Sequence, residues 1–270
     1  MDPYTVIKEH EYPRLYLFLK TSFQSQISDI RCILRLPYGH LKTGCNIASA
    51  SLLFSLISGV STCLYNASYE DFVREKPTGS GRKFKGVLRD YYPWKDEQLP
   101  IDEAIRIIYD STRNPIEHSL GLYQPNEVRR SMIKKIRLTP KQIAYIESSE
   151  IKPAWLPPTI TMSNSPFFNY DINVMSLYWG TFRLICRLLK DKKQLEKAEV
   201  FQMHLWDDYN LKALESTIKQ MESMQGHSPD YQEKAEGIRH QLEYLNKRKD
   251  ILTPQQQQAI ERITDALGCL

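Results

Sequence analysis

The stretch TGCNIASASLLFSLISGVSTCLYNASY, Thr43 to Tyr69, contains no charged residue. That is longer than the roughly 20 apolar residues needed to cross a bilayer. Yet it is studded with hydroxyls at Ser49, Ser51, Ser55, Ser58, Ser61 and Thr62. Leu52, Leu56, Val60 and Leu64 recur as one helical stripe, and Ser51, Ser55, Gly59 and Thr62 as a second stripe of small residues. Small side chains let a neighbouring helix come close. The stretch therefore reads as the buried central helix of a bundle rather than a membrane span.

The segments before it support the same class. Tyr4, Tyr12, Tyr16, Phe18 and Phe23 are scattered among charges, and Leu15 to Phe23 suits a short helix. Ile27 to Leu36 fits two patterns: Ile30, Cys32 and Leu34 alternate like a strand, while Ile30, Ile33 and Leu34 fit a helix. Pro37-Tyr38-Gly39 ends it.

After the central stretch, Lys76 to Gly81 reads as a flexible loop, without the G-x(4)-G-K-[ST] spacing of a phosphate-cradling loop. Phe84, Val87, Leu88 and Tyr91 then mark a short amphipathic helix. Its other face carries Arg82, Lys83 and Lys85, a surface for an RNA backbone or simply a solvated face. Pro93 to Pro100 is a loop, and Ile101, Ile105, Ile108 and Tyr109 line one face of the next helix.

That helix delivers the stretch with the most chemistry, Asp110-Ser111-Thr112-Arg113-Asn114-Pro115-Ile116-Glu117-His118-Ser119-Leu120-Gly121. Pro115 has no N–H to donate and disfavours the α conformation at Asn114, so the helix is expected to stop or kink near Arg113. Asn114 suits an N-cap, Pro115 the first helical position, Glu117 the acid of a capping box, and Gly121 the exit. A new helix start carries free N–H groups and about half a positive charge. Arg113 beside it offers a planar fork that fits phosphate oxygens. At His118, about one turn in, the same positive end is expected to disfavour protonation and keep the imidazole available as a base. A break would let Arg113 and His118 converge, whereas residues five apart on a straight helix diverge by about 140°. The bland alternatives are that Arg113 pairs with Asp110 or Glu117, and that His118 is buried against a carbonyl.

Arg113-Asn114-Pro115-Ile116-Glu117-His118 resembles the R-x(4–6)-H signature of the HEPN superfamily (higher eukaryotes and prokaryotes nucleotide-binding domains), in which a polar residue often follows the arginine. The helices on either side look similar too. The resemblance implies a helical HEPN-like core and an RNA- or nucleotide-engaging site at Arg113, Asn114 and His118. It further implies a homodimer with two motifs facing one cleft. RNA supplies its own nucleophile, the 2′-OH. Cleavage then needs a group to move protons, here His118, and a cation to hold the charge building on phosphorus, here Arg113. Asn114 orients the scissile group or caps the helix. No metal or cofactor is required, and no clustered set of acidic and histidine ligands is visible. Some family members bind without cutting.

Beyond Gly121 come Arg129, Arg130, Lys134, Lys135 and Arg137, with Met132, Ile133 and Ile136 between them. Such a cluster either holds a polyanion or is the exposed face of an amphipathic helix. Thr139-Pro140 looks like a helix start. Ile151 to Phe168, with Pro153, Pro157, Pro158 and Pro166, is expected to be an extended connector, or else a segment packing across the bundle through Trp155. Asn169 to Lys190 reads as the last core helix, with Ile172, Met175, Leu177, Tyr178, Phe182, Ile185, Leu188 and Leu189 on a wide apolar face. From Lys192 the apolar positions repeat among many charges: a helix to about Leu214, a turn at Gly226 to Pro229, a helix from Tyr231 to Lys249, and a third opened by Thr253-Pro254. The expected organisation is all-α: an N-terminal segment (1–40), a HEPN-like bundle (41–191) and a C-terminal helical hairpin with a closing helix (192–270).

Whole-chain numbers set few further limits. At 270 residues, 41% hydrophobic and 25% charged, the composition is that of an ordinary soluble globular protein. A net charge of +4 requires any basic footprint to be local. The five cysteines, Cys32, Cys45, Cys63, Cys186 and Cys269, include no C-x-x-C pair, which argues against a disulfide framework or a cysteine zinc site. Cys63, inside the hydrophobic stretch, is expected to be inert. Met1-Asp2-Pro3 opens no basic-then-apolar leader, so a cytoplasmic location off the membrane is expected. His204, near Trp206, Asp207 and Asp208, reads as structural. Two functions from different classes follow. One is a metal-independent endoribonuclease, a toxin or antiviral effector acting on RNA, with an antitoxin or other protein partner. The other is a non-catalytic helical module that binds a nucleotide or a protein.

Overall fold

A computed structural model describes residues 6–36, 45–74, 80–114, 131–134, 136, 138–166, 168–222 and 229–269. Of the described residues 73% are helical and 5% strand, an all-α helical bundle. It divides into two compact units, Met1–Glu199 and Val200–Leu270.

In the first unit, α1 (Pro13–Phe18) begins with proline in its first turn. Its N-terminus is capped from far away in sequence, because the Glu199 carboxylate accepts from Arg14 N at 3.0 Å and Leu15 N at 2.8 Å. A π turn, Leu19–Phe23, leads directly into α2 (Gln24–Arg35). Ile27, Ile30 and Leu34 are buried at i, i+3 and i+7, which decides Ile27 to Leu36 in favour of the helical pattern.

The uncharged stretch forms α3 (Asn46–Cys63), and α2, α5 (Ser80–Tyr91), α8 (Val174–Leu188) and β1 (Ser131–Lys134) pack around it. Leu53, Phe54, Leu56, Ile57 and Val60 are buried. Three of its hydroxyls bond the preceding turn: Ser49 donates to the Cys45 carbonyl, and Ser61 and Thr62 both donate to that of Ser58, whose own buried Oγ has no partner among the described residues. That is how a polar-rich helix occupies a core. The small-residue stripe behaves otherwise than expected. Ser55 and Gly59 lie away from the core, both exposed, and a Cβ on Gly59 would meet nothing within 4 Å. Large side chains on the opposite face, Leu53, Phe54, Leu56, Ile57 and Val60, fill the core instead. Among the described residues, α3 is the one helix long and apolar enough to cross a membrane.

After α4 (Tyr69–Arg74) and α5 comes α6 (Ile101–Ile108), which buries Ala104, Ile105, Ile107 and Ile108. Next is a small sheet that the helical expectation missed. β1 runs parallel to β3 (Tyr170–Asn173), with Ser131 opposite Tyr170 and Lys134 opposite Asn173. β2 (Ile160–Met162) is antiparallel on the other side of β3. Met132, Ile133 and Lys134 therefore lie on a strand, not on an amphipathic helix. Asn169 to Lys190 also changes conformation part-way: Tyr170–Asn173 is strand and α8 starts at Val174. Asn173 ends the strand and starts the helix, its Oδ1 accepting from Met175 N at 3.1 Å and Ser176 N at 3.0 Å.

Glu97 closes the outer edge of β2. Its carboxylate accepts from Thr159 N and Ile160 N, and Lys152, with a side chain 6% exposed, lies 3.4 Å away. Such capping removes edge donors that would otherwise invite another strand. In the connector Leu156 is buried, whereas Trp155 is 40% exposed, so the segment is not anchored through the tryptophan. α7 (Pro140–Ser148) starts with the full capping box of Thr139 and Gln142.

α8 is buried from Val174 to Cys186, Arg183 included. Gly180 lies against Tyr92, and a Cβ there would come within 2.2 Å of the Tyr92 phenol oxygen. The ring cannot swing clear, since Tyr92 bonds Thr159 at 2.7 Å and packs on Trp94 at 4.4 Å. Gly180→Ala is expected to cost about 1–3 kcal/mol through overpacking, measured by urea unfolding.

The second unit contains most of α9 (Lys192–Glu222), then α10 (Pro229–Asn246) and α11 (Pro254–Cys269). Leu211, Leu214 and Ile218 share a core with Ile238, Leu242, Ile260 and Ile263. Thr253 and Gln256 make a second reciprocal cap at the start of α11. Asp207 is 1% exposed and is held by a two-pronged bond from Arg248, at 3.0 and 3.2 Å. His204 shares Gln256 with Asp208, which fits the structural role expected of it.

Candidate functional site

Arg113 ends a segment in which the helix changes register. α6 passes into a π turn, Tyr109–Arg113, and the Asn114 N–H reaches back five residues to the Tyr109 carbonyl. Widening a turn displaces backbone partners, and the Thr112 hydroxyl compensates by donating to the Ile107 carbonyl at 2.9 Å. Asn114 has φ −60° and ψ −47°. It continues the helix and is not the extended N-cap expected before Pro115. The preference against α before proline is a bias that a helix with a widened turn can overcome. The Asn114 side chain serves Arg113 instead, its Oδ1 accepting from Nη1 at 2.9 Å. Pro115, Glu117, His118, Gly121, Arg129 and Arg130 lie outside the described residues, and so does the convergence expected of Arg113 with His118.

Two aromatic rings flank Arg113. Its guanidinium carbon lies 5.4 Å from the Tyr109 ring centre and 5.9 Å from that of Phe84 on α5, and the two rings are 5.2 Å apart. Each such cation–ring pairing contributes on the order of 0.5–1 kcal/mol. Lys85 lies 4.7 Å from the same Tyr109 ring and bonds both oxygens of Asp110, at 3.0 and 3.1 Å. Gly81 makes this close packing possible, because a Cβ there would fall 2.4 Å from the Tyr109 phenol oxygen.

No family model, curated protein or solved structure matches this chain.

The other candidates are spread out. Arg82 and Lys83 lie on α5, while Lys134 on β1 is paired with Asp171. Arg89, also on α5, pairs with Asp102 of α6 at 2.7 Å. The basic face of α5 is thus partly matched by acids of the neighbouring helix, and Lys85 and Lys134 each have a carboxylate partner. The charge as a whole is uneven. Residues 1–199 carry 28 Lys and Arg against 21 Asp and Glu, a net +7, and residues 200–270 carry 8 against 11, a net −3. Among the described residues, no three His, Cys, Asp or Glu side chains gather as a metal site.

Sequence reasoning missed Phe84, Tyr109 and Gly81. The four-residue spacing of Tyr109 and Arg113 puts them on one helical face and was the available signal. Phe84 gave none, since it reads as an ordinary core position. Near Lys83, burial pushes the Cys63 thiol up to about 11, an effect only partly offset by the lysine charge. Since the thiolate is the reactive form, iodoacetamide at pH 8 is expected to alkylate exposed Cys32 well before Cys63, as read by peptide mass spectrometry.

Proposed function

We propose that this chain is a metal-independent endoribonuclease of HEPN type, a toxin or antiviral effector that acts on cellular RNA as a cytoplasmic homodimer. The observation carrying this reading is the pairing of Arg113 and Asn114, the first two residues of the motif, with the guanidinium flanked by Phe84 and Tyr109. In the reaction His118 takes the proton from the ribose 2′-OH, and the oxygen forms a bond to phosphorus. Arg113 stabilises the charge that accumulates on the phosphoryl oxygens. The bond to the 5′-oxygen breaks, that oxygen is protonated by the imidazolium, and the products are a 2′,3′-cyclic phosphate and a 5′-hydroxyl. Arg82, Lys83, Lys85, Arg129, Arg130 and Lys134 supply the basic footprint for the backbone. The net +7 of residues 1–199 supports that placement.

The test is purified protein with end-labelled RNA in excess chelator. Cleavage leaving cyclic phosphate ends, and none at a linkage whose 2′-OH is replaced by hydrogen, is the expected result. Cleavage requiring added divalent metal, or indifferent to the 2′-OH, overturns the mechanism. Sedimentation at several concentrations tests the dimer. A second reading, a non-catalytic module binding a nucleotide or a protein, is favoured by the carboxylate partners of Lys85 and Lys134. It expects RNA or nucleotide to bind without new ends appearing.

A further inference from the structure

We infer that Tyr109 is a positioning residue whose ring holds the Arg113 guanidinium in place, with Gly81 and the Lys85–Asp110 pair holding that ring. The inference rests on the reading of Arg113 as the phosphate-holding group. Arginine has many rotamers, and a cation that must meet a phosphoryl oxygen as charge develops gains from being fixed beforehand. Tyr109 and Arg113 are the first and last residues of the π turn, so the ring and the guanidinium share one side of the helix. Phe84 flanks the guanidinium as well. Two independent devices locate the tyrosine. Lys85 lies over its ring while tied to the adjacent Asp110, and the phenol oxygen sits where only a glycine at position 81 leaves room. Neither aromatic ring is asked to touch the substrate.

Three variants separate positioning from ordinary packing. Tyr109→Leu removes the ring and Tyr109→Phe keeps it. Gly81→Ala leaves every side chain around Arg113 chemically intact but pushes the ring aside. In cleavage assays, Tyr109→Leu and Gly81→Ala are expected to lower kcat by about tenfold to a hundredfold with little change in KM. Tyr109→Phe retains most of the rate, and Gly81→Ala adds nothing further in the Tyr109→Leu background. The second readout needs no catalysis. Nitrogen NMR of the Arg113 side chain, assigned by its loss in Arg113→Lys, reports whether guanidinium rotation is restricted. Separate Nη signals in the wild type and Tyr109→Phe, merged in Tyr109→Leu and Gly81→Ala, support the inference. Wild-type kcat together with unmerged signals in Tyr109→Leu overturns it. A wild-type protein that cleaves no RNA removes the nuclease reading, and the NMR comparison then decides the positioning role alone.

Discussion

RNA cleavage by Arg113→Ala is expected to fall about 10²–10³-fold in kcat, the usual loss when one donor to a developing anion is removed. Arg113→Lys is expected to do little better. An ammonium cannot offer the planar two-pronged fork, nor lie against a ring as a guanidinium does. Neither change should unfold the protein. Truncation removes the guanidinium from two aromatic faces and from the Asn114 oxygen, together on the order of 1–3 kcal/mol. Circular dichroism melts of wild type and variant provide the control. His118→Ala should lose a comparable 10²–10⁴-fold, the range for a group that moves a proton in the transition state. An Arg113→Ala protein cutting at more than half the wild-type rate would falsify the assignment of this residue.

The largest stability effect is expected in the second unit. Asp207→Asn and Arg248→Ala each leave a charge buried without its counterion. A pair as enclosed as this one, with side chains 1% and 17% exposed, should lose about 3–5 kcal/mol on such a change. Over a unit of this size that lowers its melting midpoint by roughly 12 °C or more. Replacing both members together, Asp207→Leu with Arg248→Met, should recover most of the loss, since two apolar side chains need no solvation. Urea unfolding followed by Trp206 fluorescence measures all three. A single substitution costing under about 1 kcal/mol would mean that water reaches the site and satisfies the remaining charge.

Much of the helical framework was legible because its signals are local. Thr139-Pro140 and Thr253-Pro254 announce helix starts, the uncharged run from Thr43 marks the central rod, and Phe84, Val87 and Leu88 show a helical period. The sheet was not legible, for two different reasons. Tyr170–Asn173 is buried throughout, so it has no wet face to give a period of two. β1 owes its conformation to a partner strand about forty residues away, which no local window contains. The site divides in the same way. Arg113 and Asn114 stand out as a motif, but the rings beside the guanidinium, from Tyr109 and from Phe84 on α5, emerged only with the fold, and Pro115 pointed to a break instead. Lys85 and Lys134 showed their charge in the sequence, while the acids opposite them, Asp110 and Asp171, became visible only with the fold.

The widened turn at Tyr109–Arg113 amounts to one surplus peptide unit spliced into a regular coil. Wound as an ordinary helix, the same residues would swing everything beyond them by about 100°. The guanidinium would then leave the Phe84 side of the helix altogether. A single-codon loss at Ser111 would instead let the coil close in its ordinary register with the motif near its present azimuth.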